Sequence, residues 1–190
     1  MRNIDEIFHD RTCSKFLSDP IDKNLLVKIH DLAKLGPTSG NSCPLRIVFV
    51  QSEAEKSKLY KCLMEGNIEK TKSAPVTALF AYDEKFYEDM EKINPVAPDL
   101  IKFFASSDEV ALDTAVRNST LQAAYFMLAA RGAGLDCGPM SGFNNEEIEK
   151  EFFAGTSFKI NFICNLGYAN GVNEHSRLPR WDFDRVCKIV

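Results

Sequence analysis

The stretch Arg117–Phe143, RNSTLQAAYFMLAARGAGLDCGPMSGF, constrains this chain more than any other. From Thr120 to Ala130 it is apolar on nearly every face of a helix, with Gln122 the one strongly polar side chain. A surface helix keeps one polar side, so this one is expected to be buried all round, in a core or between two chains. Arg131, Gly132 and Gly134 supply a cationic end and glycine stop signals. Leu135–Cys137 reads as a short extended exit into Gly138-Pro139-Met140-Ser141-Gly142. A proline fixes its own φ and glycines allow close backbone approach, so this turn can lay main-chain N–H groups against a flat ligand. The same residues also describe a plain helix that ends in a tight turn.

A core able to take such a helix fits the rest of the chain. Its 190 residues, 45% hydrophobic and 26% charged, are those of one globular domain, 1–190. The net charge of −4 argues against a nucleic-acid or anionic-membrane partner. No apolar run reaches the length of a membrane span, and the opening MRNIDEIFHDR is too charged for a secretory signal. Six cysteines (13, 43, 62, 137, 164 and 187) form no CxxC pair and sit mostly within apolar segments. Free thiols and a cytoplasmic location are therefore expected.

Helical spacing predicts a short amphipathic helix over Met1–Asp10 and a longer one over Asp22–Leu35. Strands are expected at Arg46–Val50, Val76–Tyr82 and Phe158–Leu166, and further helices at Glu53–Glu65 and Asn144–Phe153. Asp83–Ser107 is polar and punctuated by proline, which predicts short helical pieces and a mobile excursion suited to a substrate lid. The tail ends in a short helix carrying Phe183, Val186 and Ile189. Helices and strands alternate without strict βαβ regularity, so the fold class is α+β with a small mixed sheet.

Several chemistries are absent from this pattern. There is no phosphate-binding Gly-x-x-x-x-Gly-Lys-Ser/Thr. Gly132, Gly134 and Gly138 are one residue too widely spaced for a dinucleotide fingerprint, and they follow a helix where a strand is needed. The histidines at 9, 30 and 175 are dispersed and have no metal-ligand spacing, so no metal is expected. Ser141 lacks the leading Gly-x of a nucleophile elbow. Four polar clusters remain: residues 11–14, 37–44, 138–142 and His175-Ser176-Arg177-Leu178-Pro179-Arg180. They are either loops of a globular domain or the parts of a site for an elongated anionic cofactor. In the second case Arg11 and Arg177 hold a phosphate and residues 138–142 face a ring system.

These segments resemble a known family. Arg11-Thr12-x-Ser14-x-Phe16, Gly36-Pro37-Thr38-Ser39-Gly40-Asn41-Ser42-x-Pro44, Gly134-Leu135-Asp136-Cys137-Gly138-Pro139-Met140-Ser141-Gly142-Phe143 and Asn165-Leu166-Gly167-Tyr168…Arg177-Leu178-Pro179-Arg180 are similar, in order and spacing, to the FMN-dependent nitroreductase family. With Gly66-Asn67-x-x-Lys70-Thr71 and Val116-Arg117-Asn118-Ser119, the detail resembles its malonic semialdehyde reductase branch.

The resemblance implies a three-layer fold with a long buried central helix, an intertwined homodimer, and FMN sites at the subunit interface. Arg11, Thr12 and Ser14 match the segment at the FMN phosphate and ribityl chain, and Arg177 the C-terminal phosphate-binding arginine. Pro37, Thr38, Ser39 and Asn41 match a loop reaching the flavin from the partner chain. Pro139, Met140, Ser141 and Gly142 match the segment against the isoalloxazine, with the Ser141 N–H meeting flavin N5, and Asn67 meets the flavin's polar edge. The implied activity passes hydride from NADH or NADPH through FMN to a small organic acceptor, without an obligate side-chain acid or base. The acceptor is a small aldehyde acid such as malonic semialdehyde, or a nitro or quinone compound. Storage or sensing of FMN without turnover is the other reading. Two departures stand out: Asp10 where many relatives carry a second Arg, and Ser14 where they carry Arg or Lys. They leave the phosphate site less cationic than usual, with Arg11 and Arg177 holding more of the charge. In the semialdehyde reductases His-Asn is expected where Cys13-Ser14 stand.

Overall fold

A computed structural model describes residues 2–171 and 177–190. His175 and Ser176, part of the fourth polar cluster, lie outside the described residues. In chain order the elements are α1 (Ile4–His9), α2 (Lys23–Ala33), β1 (Leu45–Val50), α3 (Glu53–Cys62), α4 (Glu65–Ser73) and β2 (Val76–Asp83). Then follow α5 (Met90–Ile93), α6 (Pro98–Phe104), α7 (Asp108–Gly132), β3 (Asp136–Met140), α8 (Asn145–Phe152), β4 (Phe158–Gly167) and α9 (Phe183–Val186). Side chains of Asn3, Asp22, Ser52, Ser107 and Asn144 accept hydrogen bonds from first-turn N–H groups of five of these helices.

The sheet order is β1-β2-β4-β3, and among the described residues every pairing is antiparallel, where a mixed sheet was expected. The reason lies between β1 and β2. One helix, Glu53–Glu65, was expected there. Instead the chain breaks at Leu63-Met64 and forms a second helix, α4, and Val50 faces Thr77, so β2 starts where β1 stops. Along β2 the side chains alternate faces: Val76, Ala78 and Phe80 join Leu26, Ile29 and Phe126 of α2 and α7. Leu79 and Ala81 join Leu59 of α3, Ile148 of α8, and Phe143. The result is three layers, helices on both sides of one sheet. A bulge opposite Phe80–Ala81 sets Asn161 out of register, and its amide donates to the Ser119 and Thr120 hydroxyls on α7.

Helix α7 is longer than its apolar stretch and is not buried all round within one chain. Ala115, Ala123, Phe126 and Ala130 are fully buried, whereas Leu112, Val116 and Leu121 are 42%, 37% and 42% exposed. The segment after β2 does form short helical pieces. It is not a loose excursion, however: Phe86, Met90 and Phe104 build a third buried cluster against Ala115 of α7. Residues 138–140, expected in a turn, are instead the end of β3, with Pro139 opposite Cys164. Proline is tolerated there because β3 is an edge strand. All six cysteines are free thiols. No helix among the described residues is long and apolar enough to cross a membrane.

The glycine stop signals act as read. Gly134 takes φ +98°, its N–H donates to the Arg131 carbonyl, and the Leu135 N–H donates to the Ala130 carbonyl. These are the paired bonds of a Schellman cap, and they turn the chain straight into β3. A Cβ on Gly134 would meet no atom within 4 Å, so backbone strain alone opposes a side chain. Gly134→Ala is therefore expected to lower unfolding free energy by ~1–2 kcal/mol. Urea denaturation checks this, and an unchanged midpoint would contradict the left-handed cap.

Candidate cofactor site

The N-terminal segment is threaded against the far edge of the sheet. The Cys13 N–H donates to the Cys137 carbonyl at 2.9 Å, and Phe16 bridges Ala169 beyond β4. This crossing needs missing side chains. A Cβ on Gly138 would lie 2.5 Å from the Cys13 carbonyl oxygen, and one on Gly167 2.7 Å from Phe16 and Pro75. Residues 11–14 are thereby laid directly on the strand that leads into 139–142. Two clusters far apart in sequence become one surface.

Arg11 and Thr12 line a hollow of about 390 Å³ together with Arg131, Arg177, Arg180 and Asp10. Arg177 enters from the tail. Its Nη2 donates to the carbonyls of Phe8, His9 and Asp10 at 3.2, 2.6 and 3.2 Å, so it also caps the C-terminal end of α1. The carboxylate of Asp10 is already paired with Arg2, which also reaches Asp136 at 3.3 Å. The aspartate in place of an expected arginine is thus neutralised from outside the hollow. Among the described residues, four arginines line the space with one carboxylate that is itself paired with Arg2, an arrangement suited to a phosphate. Arg131 Nε is buried there without a hydrogen-bond partner. Behind it lie two buried thiols. A hydrogen bond from Cys164, assisted by the charge of Arg131, holds Cys137 below the usual thiol range, while burial keeps Cys164 protonated. Burial also pushes the Cys13 thiol up.

The strand end Pro139–Met140 continues into Ser141 and Gly142, and a second element fixes that corner. Asn67 of α4 donates from Nδ2 to the Gly142 carbonyl at 3.0 Å, and the Met64 N–H donates to the same oxygen. Gly142 has no room for more: a Cβ there would stand 2.5 Å from Asn67 Nδ2. Asn67 is in turn carried on a helix tied to the sheet, where Thr77 donates to Asn165 and Asn165 to Thr71, all buried. The structure therefore brings Asn67 to residues 139–142, as a support for their backbone. Thr12 and Ser14 are exposed beside this surface.

The loop of Pro37, Thr38, Ser39 and Asn41 is elsewhere. The Ser39 N–H donates to Asn118 Oδ1 at 2.8 Å, Tyr125 donates its hydroxyl to the Pro37 carbonyl, and the Leu45 N–H donates to Gln122 Oε1. On the other side Asn41 donates to the Ile93 carbonyl and Asn94 to the Gly40 carbonyl, both at 2.7 Å. Asn41 and Cys43 hold φ of 54° and 41°, a left-handed conformation that these contacts sustain. Asn118 and Arg131 stand thirteen positions apart on α7, about 20 Å of rise and roughly opposite faces. Within one chain the loop and the arginine hollow are not neighbours.

The supporting residues Asn94, Gln122 and Tyr125, and the cations Arg131 and Arg180, were not among the expected site residues. Gln122 carried a signal, as the one strongly polar side chain in an apolar helix. Arg131 was read only as a helix end.

The chain belongs to the nitroreductase family, whose sequence model matches residues 9–168; it is a nitroreductase-family oxidoreductase. A protein of Stutzerimonas stutzeri, provisionally named NADH dehydrogenase/NAD(P)H nitroreductase, is 48% identical over 180 residues, which cover 95% of this chain and 91% of its own. The crystal structure of a Bacillus subtilis protein, provisionally named a nitroreductase, matches with a TM-score of 0.90 at 24% identity, over 98% of this chain and 97% of that one. A nitroreductase-like protein of Exiguobacterium sibiricum, solved in complex with FMN, matches with a TM-score of 0.86 at 19% identity, over 100% and 98%. At these identities the two structures establish the fold.

Removing the acceptor for Ser39 tests how the loop is held. Asn118→Ala leaves a main-chain N–H without its partner, which is expected to cost about 1–3 kcal/mol. Urea denaturation measures the loss, and limited proteolysis should show faster cleavage within residues 37–44. A variant with wild-type stability and an uncut loop would show that Asn118 does not hold it.

Proposed function

We propose that this chain is an FMN-dependent oxidoreductase passing hydride from NADH or NADPH to a small organic acceptor, with malonic semialdehyde reduced to 3-hydroxypropionate as one candidate and a nitro or quinone compound as the other. The observation that carries the reading is the arginine-lined hollow joined, across Gly138, to the backbone corner at 139–142. The residues fit the cofactor. A dianionic phosphate meets Arg11, Thr12 and Arg177, and close backbone approach is available where Gly138 and Gly142 lack side chains. Ser14 lies along the ribityl chain, and Pro139, Met140, Ser141 and Gly142 flank the ring, the Ser141 N–H serving as a donor to it. Asn67 keeps that corner at a fixed height through the Gly142 carbonyl. When bound, FMN supplies the hydride relay between the reduced nicotinamide and the acceptor. No side-chain acid or base is required of this chain, and its work is to bind, orient and exclude water.

The working form is an intertwined homodimer, one domain of residues 1–190 per chain, in the cytoplasm. Three features support a second copy. Leu112, Val116 and Leu121 leave an apolar stripe on α7, β1 is an edge strand of mainly apolar residues, and Leu178, Trp181, Phe183, Val186, Ile189 and Val190 of the tail are all exposed. The position of Pro37, Thr38, Ser39 and Asn41, on the face of α7 away from the arginines, suits a loop that completes the partner's site.

The protein is expected to purify yellow with about one FMN per chain, the ratio one family-type site implies. A colourless preparation that takes up no added FMN sinks the proposal, and anaerobic NADH or NADPH oxidation with malonic semialdehyde or a nitro compound distinguishes an enzyme from a storage protein. The shared site is tested by mixing two inactive variants, Arg177→Glu and Asn41→Trp. In a doubly tagged mixed dimer one site carries both lesions and the other neither, so about half of the flavin and measurable turnover should return. A mixed dimer without flavin would place each site within one chain.

A further inference from the structure

We propose that Arg131 is the specificity-determining cation of the phosphate end, the residue through which this chain distinguishes FMN from unphosphorylated riboflavin. The inference rests on the FMN reading above and adds to it a residue outside all the segments that carry the family resemblance at that end. Arg131 leaves the last turn of α7 and shares the hollow with Arg11, Thr12 and Arg177. Its Nη1 donates to the Ile7 carbonyl at 3.2 Å, which orients the guanidinium, while its buried Nε has no hydrogen-bond partner. The Cys137 thiol beside it is drawn down by the same guanidinium but is a weak partner for a full charge, and the arginine also lines the hollow, where an anion can complete it.

Helix capping does not account for the residue. The last carbonyls of α7 already accept main-chain N–H groups, Ala129 from Ala133, Ala130 from Leu135 and Arg131 from Gly134. The arginine side chain is therefore not needed at its own helix end. Nor do the other cations serve equally. Arg177 Nη2 is engaged by three carbonyls of α1 and its C-cap, and Arg180 Nη1 by the carbonyls of Leu178 and Pro179. Asp10, the one carboxylate among the described residues that line the hollow, is paired with Arg2. Beside Arg11 this chain has Asp10 and Ser14, and α7 supplies a cation from a different element.

The test is a pair of binding measurements on the apo-protein, by quenching of flavin fluorescence, with FMN and with riboflavin. Arg131→Gln is the informative variant, because it removes the charge while leaving a polar amide donor at the end of α7. Its Kd for FMN should rise about tenfold or more, as loss of a charge-assisted contact implies, while riboflavin shifts by less than about twofold. The salt dependence of FMN binding should also weaken. Equal losses for both flavins, or a variant whose apo-form has lost its thermal transition, would make Arg131 a structural tie between α1 and α7 and overturn the assignment. Unchanged FMN affinity overturns it as well, and leaves the FMN reading standing. Wild-type protein that binds neither flavin removes both.

Discussion

The carbonyl oxygen of Cys13 sits 2.5 Å from where a Cβ on Gly138 would be, and the rest of the site depends on that vacancy. With a side chain at 138 the N-terminal segment could not lie on β3, because the obstructing atom is main chain and cannot rotate away. The consequence runs outward in both directions. Upstream, the Cys13 N–H reaches the Cys137 carbonyl, and Phe16 continues onto Ala169, packed where Gly167 also lacks a side chain. Downstream, β3 carries the chain from the arginine hollow to the corner at Gly142. One crossing of two backbones joins a cationic pocket to a surface of exposed main chain, the two things an elongated anionic ring compound requires.

Around that crossing the charges are compensated locally. Arg2 pairs with Asp10 and reaches Asp136, and Asp136 accepts from the Ala169 N–H at 2.7 Å. The first residues, the start of β3 and the segment that follows β4 are tied by one carboxylate–guanidinium chain. These groups are partly buried, so their pairing is less screened than that of the i,i+3 surface pairs such as Lys72–Glu69. The same chain keeps the carboxylate of Asp10, which lines the hollow, paired with Arg2.

Helix α7 is the beam on which the arginine hollow and the 37–44 loop are both mounted, at different heights and on different faces. Asn118, Gln122 and Tyr125 hold the 37–44 loop through its main chain, and Asn161, lifted by a bulge, ties the helix back to β4. The loop is pinned from its other side by Ile93 and Asn94, so the segment first read as a mobile lid acts as a buttress. Its aromatic cluster, Phe86 against Phe104 with ring centroids 5.5 Å apart, explains why a polar, proline-punctuated stretch is nonetheless packed.

Sequence alone determined what depends on local chemistry. The 3.6-residue repeat of α2, the β-branched and apolar strands and the glycine cap at 134 are short-range effects, and each appears where its residues stand. The segments 11–14, 37–44 and 138–142 are legible in the sequence as polar and glycine-rich clusters. Other features were decided only by tertiary contact. Helix α4 has the sequence EGNIEKTKS, with Ile68 its one large apolar residue, so no period marked it; Asn67 and Thr71 hold it in place, with buried Lys56 donating to the Ala74 carbonyl that follows it. Pro139 could enter a strand only because β3 lies at the sheet edge, and edges are properties of the assembled sheet. Arg131 looked like the end of a helix because its sequence neighbours say no more than that. Its place beside Arg11 and Arg177 comes from the Schellman turn and the strand crossing together, and neither its period nor its composition records where a chain returns in space.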